Sequence, residues 1–173
     1  MILSSLHTTD ARTTPGSTPG STPGSPWRRR GLVGLAALSA YSTGIGWQAQ
    51  LVSYPLFRAV GEQDFLAYHQ AYNHAIPVVV IVPGFVTFLA SIAFLRSRPA
   101  DVPVRAAAVV AVSGAVSLLS TVLWAIPMHD RLDDIGQSQA TIDSLLDANL
   151  VRCLALSVGT GVLLWCLGRT RRS

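Results

Sequence analysis

The side chains able to do chemistry crowd into short polar stretches set between long apolar runs. Residues 54–77, YPLFRAVGEQDFLAYHQAYNHAIP, hold two of the four histidines, three of the four tyrosines, Arg58, Glu62 and Asp64. At helical period His69 and Asn73 share one stripe, and Tyr68 and Tyr72 the stripe beside it. A plain connector would be shorter and built from Gly, Ser, Asn and Pro. A second polar stretch brings Trp124, Met128, His129 and Asp130, while Asn149 and Arg152 open the last apolar run. Asn149, Arg152 and Cys153 are spaced i, i+3, i+4, which puts them on one helix face. Arg152 stands about one turn inside apolar sequence, where a charge faces a bundle interior, pairs with an acid or snorkels to the interface. Glu62, Asp64 and Asp130 are its candidate partners, whereas Arg58 and Arg131 read as solvated.

Histidine titrates near neutral pH, so His69 or His129 can serve as a general base or proton carrier. The same two imidazoles, with Met128 as a soft donor, could instead ligate haem or copper. Interfacial hydrogen bonding is the plainer role for both. His69 and His74 are i, i+5, roughly 140° apart on a helix, and so do not share a metal in the way i, i+4 histidines do. Tyr54, Tyr68 and Tyr72 fall at the depth of a membrane aromatic belt. No P-loop, GxSxG, CxxC, HExxH or dinucleotide fingerprint occurs.

The elements that position these groups are membrane spans. Half of the 173 residues are hydrophobic, only 13% are charged, and mean hydropathy is +0.42, a balance that points to lipid rather than water. Apolar runs at 31–52, 76–95, 104–126 and 150–167 each approach the roughly 20 residues needed to cross a bilayer. The net charge of +4 comes entirely from arginines at the ends of these runs, which is an orientation signal and not a nucleic-acid footprint. Ten arginines fall on one side and only Arg58, Arg131 and Arg152 on the other, so both termini are expected in the cytoplasm of a multi-pass cell-membrane protein. The expected fold is all-α: a four-helix integral membrane bundle with two partly helical outer segments. Residues 1–30 are a Pro/Gly/Ser/Thr-rich tail (TTPG-STPG-STPG-SP) ending in a basic anchor, 31–168 the four-span domain and 169–173 a basic tail. Gly31, Gly34, Gly44, Gly46, Gly159 and Gly161 are expected to let helices approach closely. Pro77 and Pro83 should disturb the second span and free carbonyls. Cys153 and Cys166 lie roughly 20 Å apart along one helix and are packing residues, out of disulfide reach.

The pattern YPLFRAV…DFLAYHQAYNHAI, a proline in the second span, LWAIPMHDRL at 123–132 and ANLVRCLAL at 148–156 resembles a group of small four-helix bacterial integral membrane proteins. That group is similar to the anthrone-oxygenase-like family, whose characterised relatives oxidise anthrones to anthraquinones in polyketide (natural-product) pathways. The resemblance covers roughly residues 31–167 and rests on His69, Pro127, His129, Asn149 and Arg152. It implies a membrane monooxygenase-type oxidoreductase acting on a lipophilic aromatic substrate without an obligatory cofactor. On that footing His69 or His129 is the base, Arg152 with Asn149 the anion stabiliser, and Trp47, Tyr72, Asn73 and Trp124 the substrate walls. Two alternatives stand beside it: a haem- or metal-binding redox subunit, and a non-catalytic accessory using its outer cap against a membrane protein partner.

Overall fold

The computed structural model describes residues 26–170. The expected low-complexity tail up to residue 25, and residues 171–173 of the basic tail, lie outside them. All regular structure among the described residues is helical. Helix α1 (Pro26–Gln48) passes through a π turn (Ala49–Ser53) into α2 (Tyr54–Leu56) and a 3-10 turn (Phe57–Ala59). Helix α3 (Glu62–Ile76) runs through a second π turn (Pro77–Ile81) into α4 (Val82–Ser97). Helix α5 (Val104–Ser120) runs through a third (Thr121–Ala125) into α6 (Ile126–Ile135), and α7 (Gln139–Thr170) closes the chain.

Among the described residues three continuous helices are long and apolar enough to cross a membrane: Glu62–Ser97, Val104–Ile135 and Gln139–Arg169, of 36, 32 and 31 residues. At 1.5 Å rise per residue they measure roughly 45–55 Å, well beyond a hydrocarbon core of about 30 Å. The two outer segments, expected to be partly helical, are largely the extended ends of these same helices. The last helix begins at Gln139, where hydropathy alone placed its start at residue 150. Residues 139–149 contain no Pro or Gly to break it, and hydropathy reports solvent, not helicity. At the other end the basic anchor is already helical, since α1 starts at Pro26 and Arg28 Nη1 donates to Arg98 O at 2.9 Å.

Helix α1 packs on α4 and α7, and α5 packs on the same two helices. Burial within this ring is layered. One apolar cluster, including Leu32, Phe94, Val110 and Leu163, fills the basic end. A second, including Tyr54, Phe57, Phe65, Leu132 and Ile142, fills the cap end. Between them lies a hydroxyl layer: Ser39 and Thr160 at 2.8 Å, Thr43 and Thr160 at 2.9 Å, and Ser42 and Thr87 at 2.9 Å. The large apolar side chains instead face outward, Val78, Leu123 and Val112 among the most exposed. Small and hydroxylated residues inside with branched aliphatics outside is the packing expected where the surrounding medium is itself apolar. Close approach is real at Gly46, Gly114 and Gly159, where an added Cβ would meet Cys153, Ser91 and Ser113 at 3.1, 3.2 and 3.0 Å. It is not the role of Gly31, Gly34, Gly44 or Gly161, beside which nothing lies within 4 Å.

The three π turns share one cause. Pro55, Pro83 and Pro127 each stand two positions past the end of a turn. A proline inside a helix supplies no N–H and its ring crowds the carbonyl four residues back. Here the residue after each π turn donates to the carbonyl five back: Tyr54 to Ala49, Val82 to Pro77 and Ile126 to Thr121. The disturbance expected from Pro77 and Pro83 thus takes the form of a widened turn, and Val79 O, four residues before Pro83, accepts from the Tyr41 hydroxyl at 3.0 Å.

Candidate functional site

Two helical pairs spaced i, i+4 face one another at the cap end: His69 and Asn73 on α3, His129 and Asp133 on α6. His69 Nδ1 lies 2.7 Å from Asp133 Oδ1, and His69 Nε2 lies 3.0 Å from His129 Nδ1. His129 Nε2 is 3.3 Å from the Tyr54 hydroxyl. Asn73 Nδ2 donates to Asp133 Oδ2 at 2.8 Å. One proton arrangement satisfies the whole row with neutral imidazoles. A carboxylate at Asp133 only accepts, so His69 carries its proton on Nδ1 and accepts at Nε2. His129 must then donate from Nδ1, leaving its Nε2 to accept from the Tyr54 hydroxyl. The tautomers follow from the donor and acceptor inventory. The result is a directional relay from Tyr54 through His129 and His69 to Asp133.

The relay is held by aromatic packing. Phe57, fully buried in the 3-10 turn, sets its ring edge-on at 5.3 Å from His69 and 5.0 Å from Tyr72. Phe65 stacks on His69 at 5.5 Å, and the two imidazoles stack at 5.2 Å. Gln137, just after the turn at Gly136 (φ 78°), pins the same 3-10 turn by donating to Phe57 O and Val60 O at 2.9 and 2.8 Å. His69 is wholly enclosed, whereas the Asp133 side chain keeps 30% of its surface exposed. The relay therefore runs from a buried phenol to a carboxylate in contact with the surroundings. Burial raises the Tyr54 phenol above its ordinary range, opposed in part by the charge of Arg152.

Arg152 is the second feature. It is 6% exposed, and its Nε and Nη2 are enclosed without a hydrogen-bond partner among the described residues. None of the expected acids pairs with it: among the described residues the ion pairs are Arg58 with Asp143 and His69 with Asp133. Arg58 is accordingly engaged at the cap, not merely solvated. Arg152 lines two cavities. One, of about 630 Å³, is bordered by Tyr54, Asn73, His129 and Asp133. The other, of about 200 Å³, is an apolar chamber bordered by Ile45, Val80, Phe85, Leu118, Val122 and Leu156. Val80, Ile81, Thr121 and Ile126 border both, so the cavities meet at two of the π turns and at the guanidinium.

The sequence-derived site residues thus divide. His69, His129, Asn73 and Tyr72 come together, Tyr72 stacking on His129 at 6.1 Å, and Arg152 reaches the same cavity as His129. Asn149 turns towards α1, donating to Gly46 O at 3.1 Å and Gln50 Oε1 at 2.7 Å. It borders neither cavity; it ties α7 to α1 beside Arg152. Trp47 and Trp124 donate to Ser157 Oγ at 3.0 Å and Ser144 Oγ at 2.9 Å, and neither borders the two cavities. Each indole N–H thus ties its helix to α7 through a serine hydroxyl. Asp133 and Tyr54 complete this hydrogen-bonded row and are not among the sequence-derived site residues, although the i, i+4 spacing of His129 and Asp133 is visible in the sequence.

As metal ligands, His69 and His129 offer two facing nitrogens, and Met128 packs nearby against the cap cluster. Among the described residues no group of three His, Cys, Asp or Glu side chains is arranged to hold a metal ion, since His69, His129 and Asp133 spend their facing atoms on one another. Cys153 and Cys166 are both buried and free. No family model, no curated protein and no solved structure matches the chain.

Proposed function

We propose that this chain is a four-span integral membrane enzyme of the bacterial cytoplasmic membrane, both termini cytoplasmic, that oxidises a flat lipophilic aromatic substrate such as an anthrone. The observation that carries this reading is the Tyr54–His129–His69–Asp133 relay opening on the same cavity as Arg152. Arginine asymmetry supports the orientation, and the outward-facing apolar surface supports the bilayer.

The chemistry follows from the relay's direction. The central methylene of an anthrone is an acidic C–H. Its proton passes to the Tyr54 oxygen as the Tyr54 proton passes to His129 Nε2. His129 Nδ1 releases its proton to His69 Nε2, and His69 Nδ1 to Asp133, so every member ends neutral and the proton leaves at the exposed carboxyl. The substrate is left as an electron-rich enolate, whose negative charge Arg152 stabilises. That anion reacts with O₂, the oxidant, to give a hydroperoxide after taking up one proton. Loss of water then converts the carbon to a ketone: one O₂ is consumed, one oxygen atom is retained and one leaves as water. No cofactor is required by this balance.

Purified protein in mild detergent should consume one O₂ per anthrone, and a His69→Ala, His129→Ala pair of variants that each keep full activity would end the proposal. A second reading is favoured by the facing nitrogens of His69 and His129, namely a redox subunit binding haem or copper. A Soret band or about one metal per chain would select it.

A further inference from the structure

Arg152 restricts what the site accepts beyond the need for a proton acceptor. A guanidinium stays charged at all physiological pH and carries five donors. Here it sits inside an apolar bundle with Nε and Nη2 unpartnered, where two cavities of opposite character meet. On one side are polar groups: Tyr54, Asn73, His129 and Asp133. On the other the chamber is walled almost entirely by aliphatic and aromatic carbon. Gly46 lies beside the guanidinium: a Cβ added there would stand 3.9 Å from Nε and Nη2. Phe85 on α4 and Val122, in the π turn after α5, border the chamber and are also about half exposed on the lateral surface. The chamber therefore lies behind the side of the bundle, between adjacent helices, and not behind its cap.

We infer that the site takes an amphiphile whose single-oxyanion head, carboxylate or phenolate, is held by Arg152, and whose apolar body fills the chamber after entering sideways between α4 and α5. A neutral lipid of the same shape leaves the guanidinium charge unmatched, so it binds more weakly. A soluble anion gains nothing from the chamber. This deepens the proposed oxidation by naming the substrate class, and rests on that reading only in assigning the ligand as substrate.

The test uses full-length protein in mild detergent and 2-dodecyl-4-nitrophenol, whose phenolate is yellow. A cation at the head lowers the probe's pKa by about one unit or more relative to empty micelles. Arg152→Gln should abolish that lowering, and Arg152→Lys should keep part of it. Leu118→Trp, which fills the chamber, should weaken the dodecyl probe and leave the 2-ethyl analogue unaffected. In the unaltered protein dodecanoate should displace the probe at no more than about one-tenth the concentration that dodecanol needs. If dodecanoate fails to displace while the pKa lowering persists, the head is a phenolate; if it displaces, carboxylates are also taken. Displacement by dodecanol at the concentration dodecanoate needs, or identical probe titrations in parent and Arg152→Gln protein, overturns the inference. Oxyanion preference without O₂ uptake on anthrone supports the site and defeats only the oxidation. O₂ uptake without oxyanion preference defeats this inference alone.

Discussion

Replacing Asp133 by Asn tests the relay at its outlet while changing almost no volume. In the parent, Asp133 accepts from His69 Nδ1 at 2.7 Å and from Asn73 Nδ2 at 2.8 Å. An asparagine can accept through only one of its two positions. If its amide nitrogen faces His69, then His69 must accept at Nδ1 and carry its proton on Nε2. His129 then accepts at Nδ1 and presents an N–H to Tyr54. Every donor in the row is reversed, and Tyr54 has nowhere to pass a proton. If instead its oxygen faces His69, the direction survives but the terminal negative charge that draws the proton is gone. Either way the base function is lost and the fold is kept. Positioned acid–base groups contribute about 10²–10⁴ in rate, so turnover of anthrone by O₂ electrode should fall about 10²- to 10³-fold, some 3–4 kcal/mol of barrier. The Asn73→Asp, Asp133→Asn double variant returns a carboxylate to the pair from the α3 side, since Asn73 Nδ2 already lies 3.4 Å from His69 Nδ1. It should recover part of the rate. An Asp133→Asn protein that inserts normally and turns over within about twofold of the parent refutes the relay.

Two further outcomes follow from burial and packing. Because burial holds the Tyr54 phenol above the ordinary tyrosine value of about 10, the unfolded chain loses this proton before the folded one does. The contribution of Tyr54 is therefore complete below about pH 10 and is lost as pH rises beyond it. Melting temperatures in detergent should fall more steeply above that pH for the parent than for Tyr54→Phe; equal slopes would show that Tyr54 is not the group involved. At Gly46 an added Cβ would stand 3.1 Å from Cys153 Sγ, too close for a buried sulfur that also lies 3.6 Å from Asn149 Nδ2. Gly46→Ala should cost about 1–3 kcal/mol, read as a lowered Tm. Cys153→Ala should restore most of it in the double variant; additive losses would mean the contact is not the cause.

Apolar patterning made the long helices legible, because runs of aliphatic residues report lipid-facing and bundle-facing surface together. It could not mark where helices end. Residues 139–149 and 62–75 are polar enough to read as a cap, yet nothing in them stops a helix, and they continue the rods on either side. The relay was half legible for a related reason. Spacing puts His69 and Asn73 on one stripe, but of the acids after His129 only Asp130 enters the expected site, as a candidate partner for Arg152. On a helix the next residue points about 100° away, whereas the fourth returns to the same face. Applying one rule to both helices yields His69–Asn73 against His129–Asp133, which is the arrangement the structure shows.

Arg152 lies inside the bundle, one of the placements its position allows, and none of its three candidate acids pairs with it. The prolines supply a different solution. Pro55, Pro83 and Pro127 each widen a helix into a π turn on the approach to the proline, and residues of two of those turns border both cavities beside the guanidinium. The third turn carries Gln50, which holds Asn149 one turn before Arg152. A helix bulge displaces backbone and side chains from regular packing, and the two cavities bordered by Arg152 lie beside two of these bulges. Three prolines around one buried arginine therefore constitute a readable pattern: the chain spends regularity in three separate helices at the level where the fourth presents its unpaired cation. An arrangement built solely to neutralise Arg152 would need one carboxylate and no bulges. A buried cation that borders two cavities and has no carboxylate beside it among the described residues is what a ligand site requires and a structural ion pair does not.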